Sequence, residues 1–389
     1  MRKTVRVATL LGHAHVEMAL SCLGSLLRYS ADRLLLRVHE DGSLTAEDRA
    51  RLVAGLGELD FVTRPEADER VAGLLAHRPA LRRFRQANPL ALKLIDIPAF
   101  AGDDLAYCDS DILFLRPFAV FRFPNPDTGA VFMSDRQNAY SLRSWHLLAH
   151  PRLALPCRVN SGILLFRARF YDPDLLEWYF ARPEFAFAPV WSEQTAWALL
   201  GARAGCRLWD PRLVRLPGPE GGEGMDAVAL HFVSPLRGLM PGYLKSAVDR
   251  TGEPPVTVGT IPVRRCRPWD LAWTEARRRW ARFSQEGNLS PKLGISPSSW
   301  GTVPHSGGPL SLVGGPPPTL GDPSPTLGDP SPSLGDPSPS LGDPSPSLGD
   351  PSPSLGDPSP SLGDPSPSLG DPSPSLGDRP PRGGTPLPR

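Results

Sequence analysis

LAYCDSDILFLRPF, residues 105–118, is the stretch on which the fold turns. Apolar residues run up to Asp109-Ser110-Asp111 and resume directly after it, the pattern of a buried strand that delivers carboxylates at its carboxyl end. In extended chain, residues two apart point the same way, so Asp109 and Asp111 are predicted to converge on one small volume. Two like charges that close repel unless a cation lies between them or one takes a proton. An oxygen-liganded divalent metal is the first expectation, at the end of a strand in an α/β sheet where phosphorylated ligands bind. Asp-x-Asp alone also fits a polar turn after a strand, so the neighbouring segments carry the decision.

Upstream, VRVATLL (5–11) reads as a strand, residues 13–28 carry apolar side chains at helical spacing, and RLLLRVH (33–39) is a second strand. Thr45-Ala46-Glu47-Asp48 forms a capping-box pattern opening a helix that ends near Gly55 and Gly57, and residues 58–63 make a third short strand. This β-α-β-α-β alternation predicts an α/β fold with a mostly parallel sheet and helices on its faces. Residues 66–100 read as helical, broken near Pro79 and Pro89. Lys93 stands on an otherwise apolar helix, where its stem is expected to snorkel and its ammonium to reach solvent unless it meets an anion. His13 and His15 are read as one residue at the ligand and one solvated.

Downstream, GAVFMSD (129–135) is a buried strand ending in a carboxylate, and NSGILLFRA (160–168) a strand opened by a tight turn. Helices are expected over 172–180 and 191–201, the latter with Glu193-Gln194 in its first turn, where a carboxylate also suits the helix dipole. AVALHFV (227–233) reads as the final strand, with His231 inside it as a core histidine satisfied by hydrogen bonds. Residues 270–283 make a basic amphipathic helix whose arginines are expected on a solvated face.

Composition divides the 389 residues unevenly. Residues 1–287 have the mixed charges and apolar runs of a globular domain large enough for a substantial core. From Leu320 to Asp378 the motif LGDPSPS recurs every seven residues. Two prolines per repeat forbid a helical heptad, and one leucine per repeat buries too little to offset ordering entropy. Residues 288–389 are therefore expected to form a disordered spacer of polyproline character. Formal net charge is +1, and scattered arginines argue against nucleic acid as a partner. Five widely spaced cysteines without a CxxC fit free thiols in a reducing compartment. The start of the chain lacks an uninterrupted apolar core of a secretory signal, and no run of about eighteen apolar residues occurs. The expectation is a cytoplasmic protein without a transmembrane segment, any membrane contact being peripheral.

In order along the chain, VATLL, Lys93, CDSDILF, Ser134-Asp135, NSGILLF, SEQTAW and LHFVSPLR resemble nucleotide-sugar-dependent glycosyltransferases of the GT-A fold. The likeness is nearest to glycosyltransferase family 8, the glycogenin and bacterial galactosyltransferase relatives, and covers roughly residues 5–237. It implies that Asp109, Asp111 and His231 are metal ligands; two carboxylates and an imidazole suit Mn²⁺ better than Mg²⁺. It also implies that Thr9 and Ser110 meet the nucleotide base and ribose, that Lys93 lies near the donor sugar or phosphates, and that Arg237 stands against the diphosphate where relatives often have lysine. Asp135, Glu193 and Gln194, with Asn160, Ser161 and Gly162, would line the donor sugar pocket; relatives usually show Asp-Gln at 193–194. Gly162 is read as letting backbone approach the sugar. The implied reaction moves a hexose from a nucleotide sugar, a UDP-hexose, to the hydroxyl of a glycan, lipid-linked or protein acceptor with retention. A haloacid dehalogenase-type phosphatase and a non-catalytic nucleotide-sugar or glycan-binding module remain the alternatives.

Overall fold

The computed structural model describes residues 4–185, 189–218 and 224–287; the repeats and the expected tail over 288–389 lie outside the described residues. The first half follows the alternation of its sequence. Strands β1 (Thr4–Leu11), β2 (Arg33–Glu40) and β3 (Leu59–Val62) are parallel, joined by α1 (Val16–Tyr29) and α2 (Ala46–Leu56). Thr45 caps α2: its hydroxyl accepts from the Asp48 N–H at 3.1 Å, and the Asp48 carboxylate accepts from the Thr45 N–H at 2.8 Å. Thr45→Ala is expected to cost about 1 kcal/mol, read as a lowered urea midpoint.

Helices α3 (Arg64–Ala76), α4 (Pro79–Ala87) and α5 (Ala91–Ala99) then lead into β4 (Asp104–Cys108), β5 (Ile112–Phe114), β6 (Phe118–Ala119) and β7 (Ala130–Ser134). After α6 (Ser144–Ala149) come β8 (Val159–Arg167), α7 (Pro173–Phe180), α8 (Ser192–Ala204), β9 (Cys206–Trp209), β10 (Val214–Arg215) and β11 (Ala229–His231). The described chain closes with α9 (Met240–Ser246), β12 (Val256–Thr257), β13 (Thr260–Pro262) and α10 (Pro268–Gly287).

Eight strands form one sheet in the order β13-β9-β7-β8-β4-β1-β2-β3. The sheet is mostly parallel, the α/β class expected, but β8 runs antiparallel to both β4 and β7. Side chains alternate between two cores: Val7, Leu11, Ile163 and Leu165 pack with α1 and α2, whereas Ala8, Leu105, Tyr107, Leu164 and Phe166 pack with α5, α7 and α8. A second sheet, β10-β11-β5, and a two-stranded pair, β12-β6, flank the large one.

Two expectations are corrected. The 227–233 strand is not the last: β12 and β13 follow, and β13 forms the edge of the large sheet. Strands of two and three residues are too short to show a period. The arginines of α10 do not all lie on a solvated face: Arg278 donates to Gln137 Oε1 at 3.0 Å and the Asn138 carbonyl at 3.1 Å and stacks over Trp191. The outward stripe instead carries Trp269, Trp273 and Trp280, each more than half exposed. Among the described residues no helix is long and apolar enough to cross a membrane.

Candidate functional site

Strand direction assembles the site. Because β8 is antiparallel to β4, its opening residues lie beside the carboxyl end of β4: Cys108 pairs with Ile163, and the Asp109 N–H donates to the Gly162 carbonyl at 2.7 Å. The end of β7 reaches the same place, Ser134 opposite Val159, with a register shift between Phe132 and Met133 that takes up Ser161, Gly162 and Ile163 of β8. Bulges of this kind re-aim side chains at a sheet's rim. Arg158, just before β8, has φ 59°, the tight turn expected ahead of Asn160.

Asp109 and Asp111 converge as expected, for a different reason. The chain turns at 109–111 rather than continuing extended, so alternation does not align the pair. Asp109 is held by the large sheet through Gly162, whereas Asp111 is held by the small one, its carbonyl accepting the Phe232 N–H at 2.9 Å. The pairing of β11 with β5 places His231 opposite Ile112, which brings the imidazole between the carboxylates. His231 Nε2 stands 3.1 Å from Asp111 Oδ1 and 3.6 Å from Asp109 Oδ2. A side-chain ligand atom from each of Asp109, Asp111 and His231 lies within 4.8 Å of the others.

His231 is fixed from behind. Its Nδ1 is 3.0 Å from Asn160 Oδ1, which also accepts the Gly162 N–H at 2.9 Å, and Asn160 Nδ2 donates to Asp135 Oδ2 at 3.3 Å. With a metal ion between the acids, a neutral ring with its proton on Nδ1, shared with Asn160, would turn the Nε2 lone pair to that ion. Gly162 makes room for the ring: a Cβ there would sit 2.4 Å from His231 Nδ1. The close approach that this glycine admits is therefore the imidazole.

The solvated placement of Lys93 is corrected. Its side chain is 3 % exposed, on α5, with Nζ 3.1 and 3.0 Å from Asp109 Oδ1 and Oδ2, 3.1 Å from Ser161 Oγ and 3.7 Å from Glu193 Oε1. Burial alone would favour the neutral amine, but Asp109 and Glu193 outweigh it and hold Lys93 above its ordinary value. Glu193 is likewise buried, accepting from Ser161 Oγ at 3.2 Å, and burial raises it despite Lys93. It faces inward toward this cation rather than serving as an exposed carboxylate on the helix end. Gln194 turns away from that pair, its Nε2 donating to the Ala139 carbonyl at 2.9 Å.

Arg237 occupies the other side of the acids, Nε and Nη2 donating to Asp111 Oδ2 at 3.1 and 2.8 Å, with Nη1 3.0 Å from His15 Nε2. Burial resists the charge on Asp111, but His231 and Arg237 prevail and hold its carboxyl below the usual carboxylate range. Of the two early histidines His15 belongs to the site, while His13 is mostly exposed and bonds Asp48 Oδ2 at 2.7 Å. Ser110 is buried in the turn. Thr9 is enclosed in β1, its hydroxyl without a hydrogen-bond partner among the described residues.

Tyr107 belongs to the site although its sequence reading did not single it out. Its hydroxyl donates to Asp109 Oδ1 and its ring lies 4.6 Å from Lys93 Nζ. The signal was its place on β4, two residues before Asp109, which follows the strand's end.

The donor set suits a divalent cation. Asp111 Oδ1 is buried and, despite its nearness to His231, has no hydrogen-bond partner among the described residues. An orphaned carboxylate oxygen between a second carboxylate and an oriented imidazole is chemistry that a cation would satisfy.

No family model matches this sequence, and no curated protein does. Solved structures similar in shape include mouse xyloside xylosyltransferase 1 in its apo form, at 12 % identity and TM-score 0.44, covering 60 % of this chain and 99 % of that one. The galactosyltransferase LgtC in complex with donor and acceptor sugar analogues is similar at 15 % identity and TM-score 0.35, covering 76 % and 99 %. Core-mannan synthase A from Aspergillus fumigatus, in an Mn/GDP form, is similar at 13 % identity and TM-score 0.34, covering 53 % and 73 %.

Proposed function

We propose that this chain is a metal-dependent glycosyltransferase of the family 8 kind, moving a hexose from a UDP-hexose to an acceptor hydroxyl with retention. The observation that carries the reading is the convergence of Asp109, Asp111 and His231, with an unpartnered Asp111 oxygen, beside two cations, Lys93 and Arg237. Asp109, Asp111 and His231 would hold Mn²⁺, which supplies Lewis acidity toward the diphosphate oxygens of the donor. Mn²⁺ is preferred to Mg²⁺ because one ligand is imidazole.

Arg237, partly exposed and bonded to Asp111, is placed to pair with phosphate through its planar fork of donors. With Lys93 it would offset charge growing on the departing nucleoside diphosphate. Asp135, Asn160, Ser161, Glu193 and Gln194 are assigned to the sugar side of the site, Thr9 and Ser110 to the base and ribose. Glu193 is engaged by Ser161 and Lys93 and Asp135 by Asn160, so neither stands out as a nucleophile, and front-face attack by the acceptor hydroxyl is favoured.

Two variants test the reading. Asp111→Asn is expected to abolish Mn²⁺-dependent hydrolysis and transfer across a panel of nucleotide sugars while far-ultraviolet circular dichroism stays unchanged. Turnover of p-nitrophenyl phosphate by the parent chain, with no use of any nucleotide sugar, would favour the phosphatase alternative. Asn160→Ala removes the partner of His231 Nδ1 and is expected to weaken Mn²⁺ binding by about 10- to 100-fold, read by calorimetric titration.

A further inference from the structure

A second group of metal-ligating side chains lies outside this site. Cys157, Cys266 and Asp270 each offer an atom within 4.8 Å of the others. They come from three segments: the residues leading into β8, those between β13 and α10, and the first turn of α10. Backbone pairing fixes the first two, since the Cys157 N–H donates to the Arg264 carbonyl at 2.9 Å and the Cys266 N–H to the Leu155 carbonyl at 2.6 Å. Both thiols are buried, and their sulfurs lie within 4.8 Å of each other. Cys157 Sγ is 3.9 Å from Asp270 Oδ2, close to the roughly 3.5 Å between sulfur and oxygen ligands on a tetrahedral zinc ion. The carboxylate is already oriented from outside: Arg264 donates to both its oxygens at 2.6 Å, and the Arg267 N–H donates to Oδ2 at 2.8 Å.

We propose that Cys157, Cys266 and Asp270 form a second metal site, selective for a thiophilic divalent ion such as Zn²⁺, with a water completing the tetrahedron. Two thiolates and a carboxylate around a divalent ion leave one negative charge in excess, which the Arg264 guanidinium on Asp270 offsets. Binding releases both thiol protons to solvent. Asp270 is partly exposed and marks the way in. The ion would clip the start of α10 to the segment that enters β8, three residues before Asn160. The same region already holds Asn138, whose Nδ2 donates to the Asp270 carbonyl at 3.4 Å and whose Oδ1 accepts the Arg158 N–H at 2.9 Å. The proposal does not depend on the glycosyltransferase reading, because its ligands are thiolates and those of the first site are not.

Cobalt separates the two sites. Co²⁺ added to the full-length Asp111→Asn chain is expected to give one equivalent of thiolate-to-cobalt charge-transfer absorption, lost in Asp111→Asn chains that also carry Cys157→Ser or Cys266→Ser. On the parent chain, without any substitution, Zn²⁺ is expected to slow alkylation of Cys157 and Cys266 at least tenfold while leaving Cys206 unchanged, read by peptide mass spectrometry. Absence of the charge-transfer band together with unprotected thiols would overturn the site. So would a Cys157–Cys266 disulfide, two mass units lighter, in chain purified without reductant that takes up no zinc after reduction.

Discussion

Gly162→Ala is expected to lower Mn²⁺-dependent donor turnover by about 100-fold, the penalty for misplacing a catalytic constellation by about 1 Å, with no loss of secondary structure. The added Cβ would stand 2.4 Å from Nδ1 and 2.6 Å from Cε1 of His231, and 3.0 Å from Asn160 Oδ1. Carbon cannot approach a ring that closely, so the ring or the strand must move. The strand has little freedom: β11 is pinned to β5 by the pairing of His231 with Ile112 and by the Phe232 N–H on the Asp111 carbonyl. The ring therefore yields, losing its contact with Asn160 and shifting Nε2 from its place between the acids.

Mn²⁺ affinity should fall with turnover, since both depend on the same nitrogen, and a calorimetric titration beside kcat/KM measurements would show it. Unchanged affinity and unchanged turnover in a folded Gly162→Ala chain would remove His231 from the ligand set. The test is sharper than replacing His231 itself, because the imidazole remains and only its position changes.

The sequence made the α/β class legible where local chemistry decides structure. The first three strands and two helices follow from alternation and from the Thr45 capping box, all short-range signals. Strand direction is a long-range property. Nothing within NSGILLF says that β8 runs antiparallel to β4, yet that direction brings Asn160, Ser161 and Gly162 to Asp109. The convergence of Asp109 and Asp111 was anticipated from strand geometry and is produced by a turn shared between two sheets. The placement of Lys93 in solvent failed because snorkelling is a default for an ammonium without a counter-charge, and here Asp109 and Glu193, distant in sequence, supply one. The cysteines read as free thiols are unpaired by disulfides, and four of the five are buried.

Lys93→Met, studied with chelator present, is expected to destabilise the fold by about 3–5 kcal/mol, the usual cost of removing one partner from a buried ion pair. The cost arises from what is left behind. Asp109 and Glu193 lose the cation they share: Glu193 is buried against Ser161 and cannot turn to solvent, and Asp109, though partly exposed, keeps its carboxylate beside Tyr107 and His231. Methionine fills much of the lysine stem's volume, so the deficit reports charge rather than a void. Adding Glu193→Gln removes one of the uncompensated acids, and the double variant should recover part of the lost stability, measured as urea midpoints at fixed slope. A double variant less stable than Lys93→Met alone would mean that Lys93 acts through packing. Mn²⁺ should also raise the thermal midpoint of Lys93→Met more than that of the parent chain, because a cation beside Asp109 competes with bound metal for the same carboxylate. Equal shifts in the two chains would place the metal away from Asp109, and with it the donor site from the end of β4.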